Sequence, residues 1–443
     1  MPDIQLSEHF NYSKLMRFTL PSIVMMVFTS IYSVVDGIFV SNLVGKTPFA
    51  AVNLIMPFLQ IFAVVGLMLG TGGSALIAKT LGEGNRDKAN ETFTMLTYII
   101  IGIGILLLFV GRACIRDVAI MMGAEGEMVD CCVLYGNILL LSLPAFTLQY
   151  AFQSFWVTAE KPNMGLLISL IVGLTNIILD YLFIVPMDMG LAGAAYATLI
   201  SQYIACIIPL VYFSRPNTSL LRLTRFRFDG KGLLKACTNG SSEMVTNLSV
   251  SVVSMLYNYQ LMKYIGENGV AAYGVIMYTY FIFLSIFLGY SIGSAPIVSY
   301  HYGAGNKREL KSLLRKSLII ISVMGVITTL LAECLANPLS KVFVGYDAEL
   351  FQLTRYAFII FSLSFLLAGF NVYASAFFTA LNNGLVSAGI SFSRTLIFEC
   401  GAVMILPLLI GIDGIWYAII LAETLALAAS IAMLLIHRKR YGY

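Results

Sequence analysis

Twelve apolar runs, separated by short polar or glycine-rich stretches, set the pattern of the chain. They cover Leu15–Val40, Ala50–Ala78, Thr92–Val110, Val133–Thr158, Met164–Pro186, Leu191–Phe213, Gly240–Ile265, Val270–Ser299, Ser317–Leu335, Leu350–Thr379, Leu385–Leu409 and Ile415–Ile436. About 20 apolar residues let a helix cross the ~30 Å of a bilayer core. The runs are continuous rather than alternating, so they predict helices and exclude a barrel of short strands. The polar exceptions inside the runs carry the information. Asn176 and Asp180 lie four apart in the fifth run and share one helix face. A carboxylate at such depth costs about 2.5–3.5 kcal/mol on insertion scales, so it points to function. The sixth run opens with Gly190-Leu-Ala-Gly-Ala-Ala-Tyr-Ala-Thr198, small residues that let membrane helices approach closely.

Composition agrees with this pattern. Of the 443 residues 59% are hydrophobic and 11% charged, with a mean hydropathy of +0.86, against about 25% charged in a soluble domain. The placement of basic residues orients the spans. With the N-terminus inside, 21 of the 27 Lys and Arg fall on the inner side, leaving Lys46, Arg112, Arg116, Lys263, Lys341 and Arg355 outside. The chain is therefore expected in the cell membrane, multi-pass, with both termini cytoplasmic. The formal charge of +4 then reflects topology, and no nucleic-acid partner is expected. The polar, partly acidic start and the long first span do not form a cleavable signal peptide. Seven scattered cysteines without a CxxC read as small packing residues.

The chain repeats itself at one offset. Gly82-Glu-Gly-Asn-Arg86 recurs as Gly303-Ala-Gly-Asn-Lys307, 221 positions on, and the same offset pairs Gly45 with Gly266, Thr158-Ala159 with Thr379-Ala380, and Pro186 with Pro407. It also pairs Gly190, Gly193 and Tyr196 with Gly411, Gly414 and Tyr417. Six spans separate the copies, so both halves have the same orientation, related by an axis along the membrane normal. The expected fold is all-α: a polytopic membrane protein of twelve transmembrane helices in two six-helix bundles. The bundles span 1–213 and 236–443, with a basic cytoplasmic linker at 214–235.

Several stretches together resemble the multidrug and toxic compound extrusion (MATE) family, most closely its bacterial drug-efflux branch. They are Val34-Val-Asp-Gly-Ile-Phe-Val40 with Ala50-Ala-Val-Asn53, Gly72-Gly-Ser-Ala-Leu-Ile-Ala-Lys79 with Leu81-Gly-Glu-Gly-Asn85, Asn176-Ile-Ile-Leu-Asp-Tyr181, Gly190–Ala197, and Gly414-Ile-Trp-Tyr-Ala418 with Ala422-Glu423. The resemblance covers nearly the whole chain. It implies secondary active export of bulky cationic amphipathic compounds against inward proton or sodium flow. It also implies that Asp36, Asn176 and Asp180, joined by Thr198 on the sixth span, handle the coupling ion. Some family members use acids on the seventh and tenth spans. Here the seventh has Glu243 near its cytoplasmic start, while Leu350–Thr379 contains no acid, so a C-half sodium site on the tenth span is not expected.

Depth gives an independent reading. Asp36 and Asp180 lie past the middles of their spans, roughly 7–12 Å toward the outside, and Thr198 roughly 6 Å. These three are expected in one outer layer, with Asn176 a turn deeper. In the second half, Glu399 and Glu423 fall near mid-membrane, and Glu423 stands at the repeat position of Gln202. Arg394 is the single deep basic candidate. A cleft with acids and few bases favours cationic guests. Tyr257, Tyr273, Tyr278 and Tyr280 are expected to offer ring faces to a flat cation. The candidate cleft residues are thus Gln202, Glu243, Tyr257, Tyr273, Tyr278, Glu399 and Glu423.

No enzyme constellation, cofactor motif or Walker loop occurs, so neither catalysis, a cofactor nor ATP drive is expected. The expected partners are cationic drugs or dyes, protons or sodium ions, and the bilayer, with the chain acting as a monomer. The alternative is a lipid-linked oligosaccharide or glycolipid flippase of the same superfamily. Such a protein needs several cavity bases for pyrophosphate, and this chain has almost none.

Overall fold

The computed structural model describes residues 4–44 and 46–443, without the side chains at 33, 34, 37–39, 41, 42 and 46. Gly45, the expected repeat partner of Gly266, lies outside the described residues. Among these residues there is no strand. Helices run Tyr12–Phe39 (α1), Lys46–Gly82 (α2), Arg86–Met121 (α3), Glu127–Leu141 (α4), Leu143–Thr158 (α5), Pro162–Ile184 (α6), Gly190–Ser214 (α7) and Gly230–Tyr264 (α8). They continue as Glu267–Gly303 (α9), Lys307–Val344 (α10), Ala348–Ser362 (α11), Phe365–Ala380 (α12), Gly384–Phe392 (α13), Cys400–Ile410 (α14) and Ile412–Tyr441 (α15). π-helical turns extend α1 over Val40–Val44 and join α13 to α14 over Ser393–Glu399.

Among the described residues nine helices are long and apolar enough to cross a membrane, and two bent pairs raise the number to eleven. The expected seventh span lies in α8, whose 35 residues reach about 50 Å at 1.5 Å each. Its Ser, Thr and Asn content leaves it out of the eleven. Packing accounts for part of that composition, because α8 lies along α2 and α13 with Asn239, Ser242 and Ser249 buried.

Two expected single spans are bent. α4 meets α5 at 59°, and α11 meets α12 at 48°. Pro144 removes a backbone donor at the first bend. The second has no proline, but Ser362 and Ser364 each donate to a carbonyl three residues back, at 2.7 Å, as Ser142 does at the first bend. Such side-chain bonds compete with the helical ladder. Ser142 and Leu363, at the two breaks, are 221 apart.

The repeated Gly-x-Gly-Asn loops have a local cause. Gly84 (φ +80°) and Gly305 (φ +68°) adopt the left-handed conformation that ends a helix without a Cβ penalty. Asn85 then accepts from the Lys88 N–H at 3.0 Å and Asn306 from the Glu309 N–H at 3.1 Å, each capping the next helix.

The halves meet where α2 packs on α8 and α9, and α1 on α9. A Cβ on Gly82 would lie 2.0 Å from the Tyr300 carbonyl oxygen, and one on Gly303 2.0 Å from that of Lys79. These contacts are one contact seen twice, since 82 and 303, like 79 and 300, differ by 221. Gly72 against Gly240 and Gly293 against Thr19 form a second such pair. The glycines pressed against the opposite half (72, 82, 240, 289, 293 and 303) all lie toward one end of these helices. The first and last described segments meet at that end, where Leu6, Phe10, Tyr441 and Tyr443 share one apolar cluster. The N-terminal segment bridges the halves there. Leu6 N–H donates to Glu160 at 2.5 Å, Phe10 N–H donates to Glu309 at 3.0 Å, and Lys316 donates to the Phe10 carbonyl.

Candidate functional site

The first group of candidates lies inside the N-terminal half. α6 turns Ile168, Val172, Gly173, Asn176, Asp180 and Ile184 inward at helical spacing. Gly173 lets α1 approach, since a Cβ there would meet the Phe28 ring at 2.5 Å. Asp36, in the last turn of α1, is thereby brought to Asp180, close enough for the carboxyls to interact. Asp180 and Asn176 are 0% and 2% exposed. Despite the proximity, both Asp180 carboxyl oxygens and Oδ1 of Asp36 lack a hydrogen bond among the described residues. Asn176 donates to Thr198 Oγ1 at 3.4 Å, leaving its own Oδ1 without a donor. Thr198 thus pairs with Asn176, one turn from Asp180. Gln202, one turn further along α7, is buried with Oε1 unpartnered.

Buried polar groups are normally satisfied, and an orphaned one costs about 1–3 kcal/mol. Here several orphaned oxygens, all acceptors, share one region. Two buried carboxylates side by side repel unless a proton or cation joins them, and oxygen sets of this kind suit hard cations. Tyr32 and Tyr135 lie within electrostatic reach of both carboxyls, and Tyr150 donates to Gln60 at 3.3 Å beside them. Sequence reasoning missed these tyrosines. Tyr32 was legible, standing four residues before Asp36, but nothing in the sequence joins α4 to this site.

The second half corrects one expectation, that of acids left free in a cleft with few bases: the single deep base is matched to Glu423. Arg394 donates to its Oε1 from Nε at 2.9 Å and Nη2 at 2.5 Å. Asn371 donates to Oε2 at 2.6 Å, and Ser430 donates to Asn371 at 3.0 Å. The Glu423 and Arg394 side chains are 4% and 13% exposed. Arg394 lies on the π-helical segment, not at the end of its span. The same segment ends at Glu399, which is half-buried and close enough to Glu423 and Arg394 to feel both charges.

Glu243 also moves. α8 begins at Gly230, so Glu243 is not in its first turn and the helix dipole does not account for it. Asp229 takes that role, accepting from the N–H groups of Lys231 and Gly232. Glu243 instead shares the α8 face that Gly240 turns to α2. Tyr257 and Tyr273 stack at 4.8 Å within the core of the C-terminal half rather than as an open wall. Tyr280 stacks on Phe365 in the same core, while Tyr278 is 48% exposed and stands apart from it.

Two repeated helical halves, pressed together at one end and holding unpartnered acids in apolar surroundings, define a membrane transporter. A family model described as MatE matches residues 21–182 and 244–401, and the chain belongs to the MatE family, whose members are multidrug transporters rather than enzymes. The multidrug export protein MepA of Staphylococcus saprophyticus is 23% identical over 438 residues, covering 97% of this chain and 94% of its own. MepA of Staphylococcus haemolyticus is 23% identical over 445 residues, covering 99% and 97%. An outward-facing multidrug resistance MATE transporter of the MOP superfamily superposes with a TM-score of 0.92 at 23% identity, covering 100% of this chain and 98% of its own. A MOP superfamily transporter from Pyrococcus furiosus, in which reverse polarity of the binding pocket suggests a different function, gives 0.90 at 23% identity, covering 100% and 98%.

Proposed function

We propose that the chain exports cationic amphipathic compounds in exchange for protons or sodium ions by alternating access, as a monomer with cytoplasmic termini. The observation that carries this reading is the set of orphaned oxygens on Asp36, Asn176 and Asp180 within a MatE transporter. The halves 1–213 and 236–443 act as the moving units and 214–235 connects them. With the glycine contacts closed on the terminal side, the ion site exchanges with the opposite side. Binding of a proton or sodium ion relieves the repulsion between Asp36 and Asp180, and α1 repacks on α6. Thr198 and Asn176 position the ion. Substrate enters the cleft between the halves, where Gln202, Glu243 and Glu399 are the polar contacts, with Tyr278 as an exposed ring. Glu423, Tyr257 and Tyr273 shape that wall from within.

The experiment is ethidium efflux in proteoliposomes under imposed proton or sodium gradients. Asp180→Asn and Asp36→Asn, which mimic the neutral acid, should each lose gradient-driven efflux while the purified variants stay monodisperse. Efflux at wild-type rate from both variants, under both gradients, overturns the assignment.

A further inference from the structure

The end of α7 carries a feature that transport does not use. The helix spans Gly190–Ser214, long and apolar enough to cross a membrane, so Arg215 emerges at headgroup depth. Beside it lies an open groove of about 580 Å³. Its walls are aliphatic on the membrane side, with Ile207 52% and Val211 42% exposed, and Tyr212 completes them. Its far end is formed by Arg215, Asn217 and Thr218, and no acid lines it.

Arg215 is free of the usual duty of a basic residue after a helix. The carbonyls at the C-terminus of α7 are taken by other donors: Val211 by the Ser214 hydroxyl, Tyr212 by Asn217 and Phe213 by the Leu223 N–H. Asn217 also accepts from the backbone and hydroxyl of Ser219, which fixes the turn. Two other basic groups on this side are engaged. Arg86 donates to the carbonyls of Ser219 and Leu220, and Arg227 pairs with Glu91 at 3.7 Å. No such partner holds the Arg215 guanidinium among the described residues.

We propose that this groove is a binding site for one anionic glycerophospholipid, its phosphate on Arg215 and Thr218 and one acyl chain along Ile207 and Val211. The shape joins an apolar channel at membrane depth to an unpaired guanidinium at the interface, the two parts of such a lipid in the same order. Guanidinium matches phosphate bidentately, and the absence of an acid favours a net negative headgroup over a zwitterionic one.

The test uses the full chain, purified in mild detergent, with phosphatidylglycerol and phosphatidylcholine as probes and retained lipid counted by native mass spectrometry. Wild type should hold one phosphatidylglycerol in preference to phosphatidylcholine. Arg215→Gln should lose that lipid about tenfold, as expected for one charge-assisted contact. Arg225→Gln, which removes the same charge from the linker outside the groove, should retain it. Val211→Asp should lose it with Arg215 intact. Equal retention by wild type and Arg215→Gln overturns the site. So does equal loss from Arg215→Gln and Arg225→Gln, which would mark diffuse attraction of a basic surface.

Discussion

At the scale of single residues, the contrast lies between acids that have partners and acids that do not. Glu423 has four donor contacts to its carboxylate and main chain from Arg394 and Asn371, so its charge is spent within the C-terminal half. Removing one member of a buried ion pair strands the other, at about 3–5 kcal/mol. Glu423→Ala should therefore lower the thermal midpoint of the purified protein sharply. The double change Glu423→Leu with Arg394→Leu should recover most of the loss, because an apolar pair leaves no charge unpaired. A double variant less stable than Glu423→Ala would show that the pair does not act as a unit. Asp180 has no such partner among the described residues, so Asp180→Asn should leave that midpoint near wild type while efflux is lost. The sequence showed both acids equally well. The Arg394–Glu423 pairing was hidden because 29 residues and a π-helical segment separate the two, and α-helical spacing places neither against the other.

At the scale of elements, what was legible was whatever depends on local chemistry. Continuous apolar runs marked the spans, and the loop motif recurred. The bends were not foreseen, because a serine's choice between solvent and its own helix carbonyl is invisible in hydropathy. The low hydropathy of α8 had the opposite effect on Glu243. The expected span began at Gly240, so this residue was read as lying near a helix start, ten residues too far along the chain. The two Gly-x-Gly-Asn turns lend themselves to a paired measurement. Asn85→Ala and Asn306→Ala each remove one N-cap acceptor, worth about 1 kcal/mol. Both should lower the thermal midpoint by similar amounts, and Asn85→Asp and Asn306→Asp, which keep a cap oxygen, should not. A loss confined to one turn would mean that the repeat is not reproduced in energy as it is in geometry.

At the scale of the whole molecule, the repeat positions the seam. A gap-free offset of 221 relates contacts across it, so the two halves meet around a pseudo-two-fold axis, and their closest approach is backbone to backbone. That approach was not legible as such. Gly72, Gly82 and Gly303 stand in sequence motifs, but only the packing shows that these three, with Gly240, Gly289 and Gly293, touch the opposite half. The proposed alternating access requires this seam to open, which makes its glycines a means of shifting the equilibrium. A Cβ on Gly240 would stand 1.8 Å from the Met68 carbonyl oxygen, a backbone atom that cannot rotate away. Overpacking of this kind costs about 1–3 kcal/mol, and about 1.4 kcal/mol is a tenfold change between two states. Gly240→Ala should therefore favour the arrangement in which α8 and α2 have parted. Cys237 is a reporter for this, half-buried beside Ala236 on α8. With the other six cysteines replaced, its reaction with a maleimide should be about tenfold faster in Gly240→Ala than in the parent. Gly274→Ala, where a Cβ meets nothing within 4 Å, should leave the rate unchanged. An unchanged rate in Gly240→Ala, in protein that still folds and exports, would show that the seam is held elsewhere, with the N-terminal bridge from Glu160 to Glu309 as the next element to cut.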